Sequence, residues 1–163
     1  MNPLDLFTKN LASNFETLKQ HLDDFTDADL MVRPVPAANH AAWQLGHLLV
    51  FEAMLCDIYA PKGAPKLPDG TKEMGGAEGS KSDDPAKFLK KAEVLKLLGQ
   101  ARSTLVGWVK TLSEADLQKP APEQFRGWLA TQGDLLLGIL GHTTMHIGQI
   151  QVIRRKLGKK ILF

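Results

Sequence analysis

In the stretch GHTTMHIGQIQVIRRKLG, which runs from Gly141 to Gly158, His142 and His146 stand four residues apart. Side chains at i and i+4 meet on one face of an α-helix, so these two imidazoles can grip one ion. Packed or surface histidines are the alternative, and a third histidine has to decide between them. His47, within AAWQLGHLLVFEAMLCDIYA, supplies it from a different helical segment. Three neutral imidazoles facing a bundle interior suit Zn²⁺, Ni²⁺ or another first-row divalent ion, and they leave positions open for water or substrate. A closed structural zinc site wants a fourth protein ligand, usually a thiolate. Cys56 is a poor candidate, because nine residues past His47 places it on the far side of the helix at about 100° per residue.

Rival motifs fail on the same letters. A zincin needs Glu directly after its first His, where this chain has Thr143. A di-iron bundle needs Glu-x-x-His pairs, and the chain has none. Gln149 shares the face of His142 and His146, and Gln44 precedes His47 by three. Either glutamine can orient a ligand from outside the coordination sphere or make an ordinary hydrogen bond in the bundle. His40 is expected exposed in a first helical turn, and His21, among charges, at the surface. Glu52 points away from the His47 face and is also expected at the surface. Trp43, Trp108 and Trp128 either line an apolar cavity or, as the better expectation, serve as packed core or helix-end aromatics. No side chain stands out as a catalytic acid or base.

Four amphipathic helices must position these residues. The first starts at Asn2-Pro3 and carries Leu4, Phe7, Leu11, Phe15, Leu18, Leu22 and Phe25 at spacings of three and four. The second starts from an Asn39 N-cap and stops before Pro61; it is apolar on most sides and should be buried. The third sets Val94, Leu98, Ala101, Leu105, Trp108 and Leu112 against a wet face with Lys90, Lys91, Lys96 and Arg102. The fourth opens with the Thr131-x-x-Asp134 capping box and runs to about Leu157, with Gly158 as its stop. Strand-type alternation is absent.

Between the second and third helices lies APKGAPKLPDGTKEMGGAEGSKSDD, too long for a tight antiparallel connection. Extended, it can run the length of a bundle and leave those two helices parallel, which gives a crossover four-helix bundle. FTDADLMVRPVP and LSEADLQKPAP echo one another, and LGH occurs at both Leu45–His47 and Leu140–His142. A pseudo-twofold pair of hairpins would bring the two LGH segments together, with glycine beside each histidine permitting close helix approach.

One domain over residues 1–163 is the expectation from length, with 44% apolar and 23% charged residues and a formal charge of +2. The basic RRKLGKK tail reads as a solvated helix end rather than a nucleic-acid patch. One cysteine, no signal peptide and no apolar run of roughly 20 residues make the cytoplasm the default compartment and argue against a membrane role.

The segments WQLGHL, with His47, and GHTTMHIGQI, with His142 and His146, together with HIGQIQVIRRKLG and its Gln149, resemble the DinB-like superfamily of metal-binding four-helix proteins. The resemblance covers nearly the whole chain. It implies an all-α, up-down-down-up bundle, often dimeric, with a divalent metal held by the three histidines in a cavity at one end. Members with known activities include thiol S-transferases for bacillithiol or mycothiol and a thiol-dependent maleylpyruvate isomerase. By that likeness the expected function is a metal-dependent transfer of a small electrophile to a low-molecular-weight thiol. The alternatives are a metal-dependent hydrolase, or a non-catalytic, stress-related or binding bundle whose three-histidine site is structural or vestigial.

Overall fold

The computed structural model describes residues 2–162. Among them are seven α-helices: α1 (Pro3–Leu22), α2 (Asp27–Leu30), α3 (Ala41–Tyr59), α4 (Thr71–Met74), α5 (Ala77–Ser80), α6 (Lys91–Val109) and α7 (Gln132–Lys156), with short 3₁₀ turns in the connections. No described helix is long and apolar enough to cross a membrane. The long helices α1, α6 and α7 begin largely where their letters say, but α1 and α6 end at Leu22 and Val109, three residues short of Phe25 and Leu112, which pack from the turns that follow. Asn2 accepts the Asp5 N–H at 2.8 Å ahead of Pro3, Thr131 and Asp134 close their capping box, and Gly158 turns the chain out of α7 at φ 67°. The two echoed turns also cap themselves, through Thr26 with Asp29 and Ser113 with Asp116.

The N-cap of α3 is His40 rather than Asn39. Its Nδ1 accepts the Trp43 N–H at 3.0 Å, so a neutral imidazole does the work usually given to a short polar side chain. Nε2 then donates to Ser82 O at 3.0 Å, and the ring is buried edge-on against Phe88. His40 is therefore not the exposed first-turn residue expected from its position. Nor is His21 a surface residue: it is buried, with Nδ1 donating to Thr17 O at 2.8 Å.

Cross-links between helices fix the topology. Asn14 donates to Leu140 O and Arg154 to His21 O, so α1 and α7 run parallel. His40 meets Phe88 at the start of α6 and Glu52 meets Arg102 further on, so α3 and α6 are parallel too. The pairs Leu11–Arg102 and Leu22–Lys91 make α1 and α6 antiparallel, while Gln44–His146 and Phe51–His142 do the same for α3 and α7. The result is the up-down-down-up four-helix bundle, with the long connection spanning it between α3 and α6.

That connection is built, not loose. Gly75 packs so closely on α3 that a Cβ there would sit 2.7 Å from Gly46 O. The glycine beside His47 thus admits the crossover, whereas the one beside His142, Gly141, faces open space.

Two apolar clusters fill the bundle. One holds Leu18, Leu45, Leu49, Leu98 and Ile150; the other holds Leu11, Leu55, Leu105, Leu135 and Ile139. A polar layer divides them. Arg102, expected on the wet face of its helix, is buried and pairs with Glu52, itself expected at the surface and fully buried. Arg102 Nε donates to Glu52 Oε2 at 2.8 Å, Nη1 to Leu11 O at 2.8 Å and Nη2 to Thr143 Oγ1 at 2.9 Å. One guanidinium thereby ties all four long helices. Each residue alone reads as surface; only together can they be desolvated. Arg154 repeats the lesson in the basic tail, since it is buried and bonded to His21 O, Asp24 and Lys160 O.

Candidate metal centre

His47 projects from α3, and His142 and His146 from α7, at the level just beside the polar layer. Their ring centroids lie 4.9 Å (His47–His142), 4.8 Å (His142–His146) and 5.5 Å (His47–His146) apart. One ring nitrogen from each falls within 4.8 Å of the others, and among the described residues no carboxylate or thiol joins the cluster. The two LGH segments meet here, as the internal echo predicts.

Hydrogen bonds on the outer sides fix how the rings face. Gly75 O can only accept, so the His47 Nδ1 it contacts at 3.0 Å carries the proton and Nε2 keeps its lone pair. Gln44 Nε2 donates to Asn39 O at 3.0 Å, which turns Oε1 toward His146 Nδ1 at 3.2 Å. His146 is thereby also held with Nδ1–H outward and the Nε2 lone pair inward, the arrangement metal-binding histidines usually have. Of the two glutamines, Gln44 is the buried one with this orienting role. Gln149 is exposed, and its side-chain hydrogen bond with His146 mildly favours the protonated ring.

The His142 and His146 Nε2 atoms are 3.2 Å apart. Ligand distances near 2.0–2.1 Å and tetrahedral angles would separate two imidazole nitrogens by about 3.4 Å, so the spacing of this pair fits two ligands of one divalent ion, with a His47 nitrogen within 4.8 Å of both. The electrostatics agree. Burial, and then the neighbouring histidine, push the His142 pKa down to about 4; burial, then His142 and His47, do the same for His146. Both rings are neutral at physiological pH, with no proton to expel before coordinating. Cys56 stays apart: its buried Sγ bonds to Ala101 O at 3.4 Å, and burial pushes its thiol up to about 12.

Aromatic rings wall the cluster. Trp43 stacks on His47 at 4.8 Å with its Nε1 donating to Gly76 O at 2.8 Å, and Phe51 meets His142 edge-on at 5.0 Å. Trp43 therefore lines the site. Trp108 instead packs against Tyr59 in the core, and Trp128 stands exposed beside Phe125. His146 is buried while His47 and His142 are half-exposed, so the cluster opens to solvent on their side. A groove of about 350 Å³ runs along the outer face, past Asn39, Gln44, Gln149 and Val152.

Three parts of the site escape sequence reasoning: the Gly75 and Gly76 carbonyls, Phe51, and the Glu52–Arg102–Thr143 layer. The only written sign of the first is the glycine pair in MGGAEG, which reads as loop composition until α3 is seen against it.

Comparison with known proteins gives a family and a fold. The DinB superfamily model matches residues 10–150. A conserved protein from Enterococcus faecalis superimposes with a TM-score of 0.65 at 18% identity, over 98% of this chain and 99% of that one. YfiT from Bacillus subtilis, described as a probable metal-dependent hydrolase with an unusual four-helix bundle topology, does so with a TM-score of 0.69 at 18% identity, over 98% and 91% of the two chains. No curated protein matches the sequence.

Proposed function

The chain belongs to the DinB superfamily, and we propose that it is a metal-dependent enzyme in which His47, His142 and His146 hold one divalent ion, zinc or nickel, for transfer of a small electrophile to a low-molecular-weight thiol. The observation that carries this reading is the convergence of three imidazole nitrogens with, among the described residues, no fourth protein ligand beside them. Bound there, the ion supplies a Lewis acid with open positions, able to lower the pKa of a thiol so that the nucleophilic thiolate forms at neutral pH. The protein's own groups do the rest. Gln44 and the Gly75 carbonyl hold two rings with their lone pairs inward, and Trp43 and Phe51 pack against His47 and His142 beside the side that opens to solvent.

Thiol transfer asks for no separate protein base, which suits a site whose nearby carboxylate, Glu52, is engaged by Arg102. The cytoplasm, where small thiols are kept reduced, is the proposed compartment. Hydrolysis is the second reading, favoured by the likeness to YfiT; water would then take the position of the thiol.

Elemental analysis of untagged protein, with His47→Ala and His146→Ala purified alongside, tests the site. Near one divalent ion per chain in the wild type, lost in both variants, is expected. Turnover of an electrophile that requires an added thiol and stops on chelation identifies the transferase; turnover without thiol identifies the hydrolase. No bound metal even after reconstitution overturns both and leaves a non-catalytic bundle.

A further inference from the structure

The first half of the crossover is anchored at both ends and stands off α3 between them. At one end Thr104 Oγ1, on α6, donates to Gly63 O at 2.8 Å, and a Cβ on Gly63 would sit 2.8 Å from that hydroxyl. At the other end Thr71 Oγ1 donates to Pro68 O at 2.7 Å, and Gly75 rests on Gly46 and Val50. Pro65 and Pro68 stiffen the stretch between, because each fixes its own φ and restricts the residue before it. A pocket of about 330 Å³ is left between this stretch and α3.

The pocket is separate from the metal centre. At 100° per residue, Ala53 and Asp57 lie about 120° and 80° round α3 from His47. Val50, Ala53 and Met54 form its floor, with Pro65 and Leu67 as an equally apolar outer wall. Two opposite charges border it, Asp57 from α3 and Lys72 from α4, and both are exposed. Among the described residues neither joins an ion pair or a side-chain hydrogen bond. An apolar recess bordered by one free anion and one free cation is complementary to a molecule with an apolar body and both charges. Its carboxylate answers Lys72, its ammonium answers Asp57, and its body takes the place of water on the floor. A volume at the small end of the range for ligand sites, about 300–1,000 Å³, suits a single amino acid rather than a peptide.

We propose that this pocket binds a free apolar α-amino acid, its carboxylate on Lys72 and its ammonium on Asp57. The site does not depend on the metal reading, since none of its residues belongs to the histidine cluster. It does lie next to that cluster's support: the outer wall runs on into Gly75, whose carbonyl holds His47, so an occupied pocket steadies the strap behind that ring.

Isothermal titration calorimetry with L-leucine, L-methionine and L-phenylalanine tests the proposal. At least one is expected to bind with a stoichiometry near one per chain. The same molecule without its amine, without its carboxylate or without its side chain should bind about tenfold more weakly or worse; for leucine these are 4-methylpentanoate, 3-methylbutylamine and glycine. Lys72→Met and Asp57→Asn should each weaken the amino acid by a similar factor, while Lys72→Arg, which keeps the charge, should retain most of the affinity. Both positions are exposed, so circular dichroism should show wild-type folding in every variant. No binding of any of the three amino acids at millimolar concentration, equal binding of the deaminated acid, or affinity unchanged in Lys72→Met or in Asp57→Asn would overturn the proposal.

Discussion

At the scale of single residues, the histidines differ less in type than in what holds their outer nitrogens. His40 and His21 spend their rings on backbone groups, while His146 has a side-chain partner that turns its lone pair inward. Gln44 is therefore the residue whose loss should weaken metal binding without removing a ligand. Gln44→Ala is expected to lower affinity for the ion by about 10- to 100-fold in a competition titration with a chromophoric chelator. Gln149→Ala, at an exposed position, should change it much less. A pH dependence follows from His142 and His146, whose pKa values fall from 6.5 to about 4 in the fold. A depressed folded value means that the unfolded chain binds the proton more readily. The metal-free protein should thus keep its full stability above pH 6.5 and lose it progressively as pH falls toward 4, as urea titrations at stepped pH would show. The positions of these histidines were legible because helical spacing is written in the letters. Their partners were not, since whether a polar side chain faces a carbonyl, a ring or water depends on segments far away in the chain.

At the scale of elements, the crossover is the part that matters most for the site and that the sequence disclosed least. Its length implied parallel α3 and α6, and the bundle has them so. Composition alone could not say that a Gly-, Pro- and Lys-rich stretch would fold down onto α3 and hand two carbonyls to Trp43 and His47. The contact needs backbone against backbone. Gly75→Ala puts a methyl group 2.9 Å from the Val50 side chain and 2.7 Å from Gly46 O, a backbone atom that cannot yield without moving α4 or α3. Two effects are expected together: a stability loss of about 1–3 kcal/mol, typical of overpacking, and weaker metal binding as His47 loses its brace. Gly141→Ala, in open space on α7, should instead leave metal binding unchanged. Helix starts, by contrast, were readable almost to the residue at α1 and α7, and so was the end of α7, because a cap is a local interaction between neighbours in sequence; α1 stops at Leu22, three residues before the Phe25 that its apolar spacing reached. The exception at α3 is a histidine doing a cap's work, a role that residue type alone does not advertise.

At the scale of the whole molecule, one buried ion pair joins helices that no short connection holds in place. The two parallel pairs, α1 with α7 and α3 with α6, cannot be fixed by tight hairpins, so their relative heights must come from contacts in the core. Leucines on leucines tolerate sliding; a guanidinium with a Glu52 carboxylate, the Leu11 carbonyl and the Thr143 hydroxyl around it does not. Thr143 follows His142 directly, and Glu52 lies five residues beyond His47. The layer that sets the helix heights therefore also sets the height of His47 against His142. Removing one partner should be far worse than removing both. Glu52→Ala leaves a buried cation and is expected to cost about 3–5 kcal/mol in chemical denaturation, whereas Glu52→Leu with Arg102→Met, which replaces the pair by apolar groups of similar size, should fall close to the wild type. If the layer acts as a register pin, the double variant will fold with near-native stability yet bind metal more weakly. Equal stability with equal metal affinity would instead show that apolar packing alone fixes the helix heights.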